Sequence, residues 1–231
     1  MFLRRESLRE YIRLYPVISI IIVINLVMFG VLELSGGSTQ VETLYRFGAM
    51  FGGGAIEPEF WRFVASMFLH IGFMHLLMNS FSLYVFAAPL ERMLGMWKFA
   101  VLYLASGITG NIFSYFLHHD LYIGAGASGG IYGVYGAYLF LSLFRKDVLD
   151  ADSSKTITII LIIGIVYSII VPNVDLYAHL GGFVERIFVH GDSKYDYQKK
   201  SETLWCVTSK GSCTIIQGEP QSCGSFCMQF E

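Results

Sequence analysis

Gly126-Ala127-Ser128-Gly129-Gly130-Ile131-Tyr132-Gly133 lies where a polar loop gives way to a long apolar run. Small residues beside a serine let a substrate backbone approach its hydroxyl and let neighbouring helices pack closely. A serine at the start of a helix also lies beside free backbone N–H groups, which can stabilise an oxyanion. Taken alone, such a serine is more typical of helix packing than of catalysis, so its interpretation depends on the rest of the chain.

The composition is that of a membrane protein. Hydrophobic residues make up 54% of the 231 residues and charged residues only 15%, against about 25% in soluble domains. The apolar residues fall in long runs, which predicts an all-α, polytopic membrane protein. No basic patch indicates nucleic-acid binding. The spacings of the four cysteines fit no usual zinc pattern.

Six apolar segments are candidates for spanning a bilayer, which takes about 20 residues of helix. Together they predict a membrane domain over residues 1–190, followed by a polar cytoplasmic tail over residues 191–231. The second segment is expected to end at Pro89, and the sixth is interrupted by Glu185 and Arg186. The predicted spans are approximately residues 17–34, 71–89, 99–117, 128–144, 156–171 and 176–189.

The charge distribution predicts the orientation. With six spans and a cytoplasmic N-terminus, only Arg46 and Arg62 of the 16 basic residues lie outside. This bias is the positive-inside pattern, so both termini are predicted to be cytoplasmic. Residues 35–70, which hold these two arginines, are too long for a tight connection and too apolar for a solvated linker. We expect them to form a loop or short-helix hairpin in the membrane interface.

With this topology, three distant parts of the chain reach one depth in the outer leaflet. Ser128 begins the fourth span, His179 lies near the outer end of the sixth, and His75 and Asn79 lie one turn apart on the second. Polar side chains within spans are costly and are candidates for function. A histidine can remove the proton of a serine hydroxyl near neutral pH. Asp175 precedes its helix and is expected to be solvated, so we favour a Ser–His dyad.

A tetrahedral oxyanion needs hydrogen-bond donors, and the same level offers several. Tyr132, one turn after Ser128, is expected to pack on the His179 ring and to fix its orientation. The candidate oxyanion and substrate-stabilising residues are His75, Asn79, Gly126 and Ala127, with the backbone N–H of Ser128.

Three motifs resemble the signatures of the rhomboid intramembrane serine proteases. They are Phe-Leu-His-Ile-Gly-Phe-Met-His-Leu-Leu-Met-Asn at 68–79, Gly-Ala-Ser-Gly at 126–129 and Ala-His-Leu-Gly-Gly at 178–182, and Trp61-Arg62 precedes them. The resemblance covers about residues 10–183. The order and spacing of the motifs make the resemblance highly specific.

The resemblance implies a six-transmembrane-helix bundle in which Ser128 is the nucleophile and His179 the base. It implies that His75, Asn79 and the Ser128 main chain form the oxyanion site, that Tyr132 stacks on His179 and that His70 is structural. It further implies transmembrane protein substrates cut near their outer end within the lipid bilayer, with no metal or cofactor. The simple six-span form indicates a bacterial cell-membrane protein.

The sequence departs from this family after Phe183. Relatives continue the sixth span with small and apolar residues, whereas Glu185 and Arg186 occupy that region here. A charge in mid-span costs about 2.5–3.5 kcal/mol on insertion scales. We therefore interpret residues from about 184 onward as a shifted reading frame or a replaced terminus, which would make residues 191–231 an aberrant tail.

Three functions compete. The first is an intramembrane serine endopeptidase, favoured because both Ser128 and His179 are present. The second is a non-catalytic rhomboid-like protein that binds transmembrane segments, favoured by the interrupted sixth span. The third is a transporter or channel, a class that often has internal repeats, and the sequence shows no repeat.

Overall fold

The computed structural model of the protein describes residues 6–52, 59–145, 148–171, 174–189, 204–209 and 212–217. These residues are mostly helical, as the sequence predicts. The chain divides into two compact units, Met1–Tyr197 and Gln198–Glu231. Each unit is described by itself.

In its described residues, the first unit is a helical bundle with one short pair of strands. Its strands are β1 (Met50–Gly52) and β2 (Tyr122–Gly124). Its described helices are α1 (Leu8–Leu14), α2 (Pro16–Leu34), α3 (Val41–Arg46), α4 (Arg62–Ala65), α5 (Phe73–Ser82), α6 (Ala88–Leu94), α7 (Met96–Leu117), α8 (Ser128–Phe144), α9 (Ala151–Ile170) and α10 (Leu176–Val189).

All six apolar segments found in the sequence are helical. Among the described residues, four helices are long and apolar enough to cross a membrane: Pro16–Leu34, Phe73–Leu94, Met96–Leu117 and Ala151–Ile170. The helices α8 and α10 are shorter, with 17 and 14 residues. Large apolar side chains lie exposed on α2 and α9, including Ile20, Val23, Leu26, Ile162, Ile163 and Ile169. Such surfaces suit contact with lipid, and the prediction of an all-α membrane fold is confirmed.

The second predicted span is longer than the sequence indicates. A π-helical turn, Leu83–Ala87, joins α5 to α6 in one helix over Phe73–Leu94. Pro89 lies in the first turn of α6, where its missing N–H is tolerated, so it does not end the helix. The helix ends instead at Gly95, whose φ of 78° is readily adopted only by glycine.

Close glycine contacts bring α10 against both α7 and α8. A Cβ built on Gly182 would lie 2.1 Å from the carbonyl oxygen of Gly129 on α8. A Cβ on Gly110 of α7 would lie 2.5 Å from the Ala178 carbonyl oxygen. Gly182 therefore brings α10 close to α8, whereas Gly181 faces α7. Backbones can approach this closely only where side chains are absent.

Glu185 interrupts the apolar run of the sixth segment, but α10 forms over the predicted residues 176–189. The helix continues to Val189, and the Glu185 carboxylate accepts a hydrogen bond from the Ser106 hydroxyl of α7 at 2.8 Å. Both side chains are buried. A hydrogen bond of this kind offsets part of the cost of a polar group within a span.

The region between α2 and α5 contains the short helices α3 and α4 and the strand β1, so the short helices expected there are present. No sequence signal indicated that β1 pairs antiparallel with β2, with Met50 opposite Gly124 and Gly52 opposite Tyr122. This pairing joins the region between α2 and α5 to the loop that leads into α8. It therefore helps to place the start of α8.

The second unit contains an antiparallel pair, β3 (Leu204–Ser209) and β4 (Ser212–Gln217). From the sequence, only a polar tail is predicted there. Both strands contain β-branched residues, which favour extended backbone, within a segment that is polar overall. The remainder of the predicted tail lies outside the described residues.

Candidate active site

Ser128 is the first residue of α8, and the buried Ala127 is its N-cap. The first N–H groups of a helix have no acceptor within the helix. They lie beside the serine side chain and carry the positive end of the helix dipole. The start of α8 is therefore suited to stabilise negative charge that develops next to the Ser128 hydroxyl.

Gly126 shapes the space in front of this serine. Its φ is 139°, which strains any residue with a Cβ, and its N–H donates to the Ser66 carbonyl oxygen at 2.9 Å. A Cβ at this position would lie 2.8 Å from Nε2 of His75 and 3.7 Å from Oγ of Ser128. His75 and Ser128 thus face one point in space. Because Gly126 has no side chain, this point stays open. Its N–H is already hydrogen-bonded to the Ser66 carbonyl oxygen.

His75 and Asn79 lie one turn apart on α5, as the sequence predicts. One amide hydrogen of Asn79 is donated to the His75 carbonyl oxygen at 2.9 Å, and the second is available to another acceptor. The fully buried His70 lies edge-on to His75, with 5.2 Å between the ring centroids. This contact supports the orientation of the His75 ring.

His179 lies in the first turn of α10 and is 7% exposed. Its ring stacks on Tyr132 of α8 with 4.0 Å between the centroids and 9° between the planes. The stacking expected from the sequence is confirmed. Since Tyr132 is one turn after Ser128, the imidazole lies against the first turns of α8.

Ser168 of α9, which the sequence did not single out, contacts the same histidine. Its Oγ lies 2.7 Å from Nδ1 of His179, 2.7 Å from the Gly164 carbonyl oxygen and 3.2 Å from the Tyr132 hydroxyl. Ser168 is 4% exposed. The only sequence signal was a polar residue inside an apolar segment, 11 positions before His179.

Asp175 is only partly exposed and is hydrogen-bonded within the fold, whereas the sequence predicted a solvated side chain. Its carboxylate accepts from the Ala178 N–H at 2.9 Å and from the Ser114 hydroxyl of α7. It also lies 3.4 Å from Nε2 of His118, a residue that is only half-buried. The carboxylate therefore caps the start of α10 and joins it to α7. It holds the backbone beside His179, while the His179 ring faces Ser168.

The candidate site is assembled from α5, α8, α9 and α10. Together these helices supply the Ser128 hydroxyl at the start of α8, the His179 imidazole with Nδ1 in contact with Ser168, and hydrogen-bond donors on α5. This set of groups fits acyl transfer through a serine nucleophile. Within the described part of the chain, no group of three or more His, Cys, Asp or Glu side chains is arranged to hold a metal ion.

Comparison with protein families matches residues 57–188 to the Rhomboid domain. YdcA of Bacillus subtilis, by its name a candidate rhomboid protease, is 39% identical over 190 residues, which are 80% of this chain and 94% of YdcA. The rhomboid protease GluP of the same organism is 38% identical over 167 residues, which are 72% of this chain but 32% of GluP. RHOMBOID-like protein 5 of Arabidopsis thaliana is 32% identical over 152 residues, 65% of this chain and 49% of that protein.

The family match extends beyond Phe183, where the resemblance was expected to end. Glu185 therefore lies within the matched region. The chain spans nearly all of YdcA and about a third of GluP.

Proposed function

Because the chain belongs to the rhomboid family of polytopic helical membrane proteins, we propose that it is an intramembrane serine endopeptidase with Ser128 as nucleophile and His179 as general base. The names of YdcA and GluP support a protease function. One observation carries the assignment of the two residues: the His179 ring is stacked on Tyr132 at 4.0 Å, one helical turn from Ser128.

The reaction would proceed by acyl transfer. Nε2 of His179 takes the hydroxyl proton of Ser128 while Oγ attacks the scissile carbonyl carbon. The carbonyl electron pair moves to its oxygen, and the resulting intermediate expels the amine, which receives the proton from His179. Water then attacks the acyl-enzyme in the same way and releases the carboxylic acid.

The oxyanion would be stabilised by donors from α8 and α5. The Ser128 N–H has no acceptor within its helix, and Asn79 has one amide hydrogen beyond the one given to His75. His75 faces the same point as the Ser128 hydroxyl. Donors fixed in advance are effective because they do not reorganise when the charge develops.

The proposed arrangement in the membrane has six spans within residues 1–190 and both termini in the cytoplasm. The positive-inside distribution supports this orientation, since only Arg46 and Arg62 fall outside. It puts Ser128 and His179 near the outer surface of a cell membrane. Substrates would be transmembrane segments of other proteins, cut near their outer end.

The test uses the full chain in liposomes with a transmembrane substrate peptide that carries a fluorophore at each end. We expect cleavage by the unaltered protein and a loss of about a thousandfold or more in Ser128→Ala, because nucleophile removal disables a serine protease. His179→Ala should fall to a similar level. The matched control is Ser154→Ala on α9, which removes a serine hydrogen-bonded to Ser142 of α8 and should cut normally.

Two outcomes would overturn the proposal. Cleavage that persists in Ser128→Ala at the unaltered rate would show that another residue or another protein cuts the substrate. An unaltered protein that binds the labelled segment without cutting it would instead be a non-catalytic rhomboid protein.

A further inference from the structure

We propose that Ser168 is a positioning residue that fixes the tautomer of His179, so that Nε2 is free to act as the base. The inference rests on the proposed function, because it assigns a role within the same site. It differs from a carboxylate-based triad, since the group behind the histidine is a neutral hydroxyl on α9.

The position of the Ser168 hydrogen follows from its contact with Gly164. The Gly164 carbonyl oxygen can only accept, and it lies 2.7 Å from Oγ of Ser168. Two oxygen atoms at this distance need a hydrogen between them. Only the Ser168 hydroxyl can supply it, so that hydroxyl donates to Gly164.

With its one hydrogen used, Oγ of Ser168 can only accept from its other neighbours. Nδ1 of His179 lies 2.7 Å away and must therefore carry a hydrogen. In a neutral imidazole the other nitrogen is then an acceptor, which leaves Nε2 as the basic atom. The Tyr132 hydroxyl lies 3.2 Å from Oγ of Ser168 and donates to the second lone pair of that oxygen. All the hydrogen-bonding capacity of Ser168 is used.

The arrangement suits a site buried in a membrane. Ser168 and His179 are 4% and 7% exposed. A carboxylate behind the histidine would have to be desolvated, which is unfavourable for a charged group. A hydroxyl selects the same tautomer without that charge. If it were removed, the imidazole could carry its hydrogen on Nε2 and would then donate to Ser128 instead of accepting its proton.

The first test compares Ser168→Ala, Ser168→Thr and Ser154→Ala in liposomes. We expect Ser168→Ala to lower kcat about tenfold, the factor for one modest hydrogen bond lost from the transition state, with KM unchanged. Threonine should restore kcat, because its hydroxyl can also donate to the carbonyl one turn earlier. Ser154→Ala, which loses a serine pair elsewhere on α9, should keep the unaltered kcat.

The second test determines the tautomer of His179 by NMR and does not depend on cleavage activity. In protein labelled with ¹⁵N-histidine, with His179 assigned by comparison with His179→Gln, we expect the Nδ1–H form, and a mixture of tautomers in Ser168→Ala. An unaltered kcat in Ser168→Ala, or an Nε2–H ring in the unaltered protein, would overturn the inference. If the unaltered protein fails to cut, the proposed function fails, while the ¹⁵N spectrum still decides the role of Ser168.

Discussion

The helix α10 carries two buried polar side chains whose surroundings differ. His179 is stacked on Tyr132 and held by Ser168, and it lies beside the start of α8 with its free N–H groups. Glu185 is farther along, where it accepts from the Ser106 hydroxyl of α7. The first side chain faces groups that can react or stabilise charge. The second faces a helix-packing contact.

The difference shows that a polar residue in a span does not by itself indicate a functional site, and does not by itself indicate a disrupted helix. Ser106, the partner of Glu185, lies where α7 meets α8, since a Cβ on Gly133 would come within 2.1 Å of its hydroxyl oxygen. The Glu185 contact therefore lies near the crossing of three helices. We expect it to hold the bundle together, and we expect the His179 contacts to set the rate of the reaction.

The largest effect should come from Gly182, which lies between these two side chains on α10. A Cβ there would lie 2.1 Å from the Gly129 carbonyl oxygen and 3.2 Å from that of Ser106. Both atoms belong to backbone, so α10 must move. We expect Gly182→Ala to lower the cleavage rate about a hundredfold, because small misplacements of catalytic groups are costly. It should also lower the free energy of unfolding by about 1–3 kcal/mol.

The matched control is Gly30→Ala on α2, where a Cβ would meet nothing within 4 Å. Cleavage rates and Tm values in detergent are measured for both variants. Gly30→Ala should keep its cleavage rate and lose no stability, because alanine has a higher helix propensity than glycine. Equal behaviour of the two variants would contradict the close contact between α10 and α8.

An effect of intermediate size is expected for substitutions of Glu185, which should change stability, whereas substitution of Ser168 should change kcat. Glu185→Leu leaves the buried Ser106 hydroxyl without this acceptor, which should cost about 2 kcal/mol of unfolding free energy. Glu185→Gln keeps an acceptor oxygen and should stay close to the unaltered protein. Because the contact lies against Gly133, more than one helical turn after the serine on α8, kcat should change less than twofold in either variant.

The double variant Glu185→Leu with Ser106→Ala sharpens this test. Removing both partners avoids an unsatisfied buried group, so most of the lost Tm should return. If Glu185→Leu lowered kcat as much as is expected for Ser168→Ala and left Tm unchanged, Glu185 would act in the reaction, which would contradict the packing role assigned to it.

Much of the candidate site could be predicted because its residues are rare in apolar segments. Ser128, His179, His75 and Asn79 each interrupt a hydrophobic run, and their helices begin where the sequence indicates. The stacking of Tyr132 on His179 followed from the one-turn spacing on α8. These signals are local, so they can be read without knowledge of the packing.

The features that the sequence did not predict depend on contacts between distant segments. Ser168 is a common helix-packing residue, and only its approach to His179 gives it a role. Asp175 would be solvated if the Ser114 hydroxyl of α7 did not lie against it. The pairing of β1 with β2 joins loops about 70 residues apart, and short strands of this kind have no periodic pattern.

The smallest effect is expected at the other end of α9 from Ser168, where Asp150 is the N-cap. Its carboxylate accepts from the Ser153 N–H at 2.9 Å. Asp150→Ala should lower the free energy of unfolding by about 1 kcal/mol at pH 7. Asp150→Asn should not, because an amide oxygen also accepts. Cleavage at pH 7 should be unchanged in both variants, since the cap is at the opposite end of the helix from the His179 contact.

The pH dependence of this cap distinguishes it from a packing effect. Hydrogen bonds from the hydroxyl and the N–H of Ser153 lower the pKa of Asp150 below its ordinary range. A carboxylate with a depressed pKa in the folded state adds stability above its unfolded value of about 3.9, and this stability is lost as the pH falls through the folded pKa. The Tm difference between the unaltered protein and Asp150→Ala should therefore shrink from pH 7 to pH 3. The difference between Asp150→Asn and Asp150→Ala should persist, because the amide does not titrate. A difference that stays constant for the unaltered protein would mean that Asp150 acts through packing and that its charge contributes nothing.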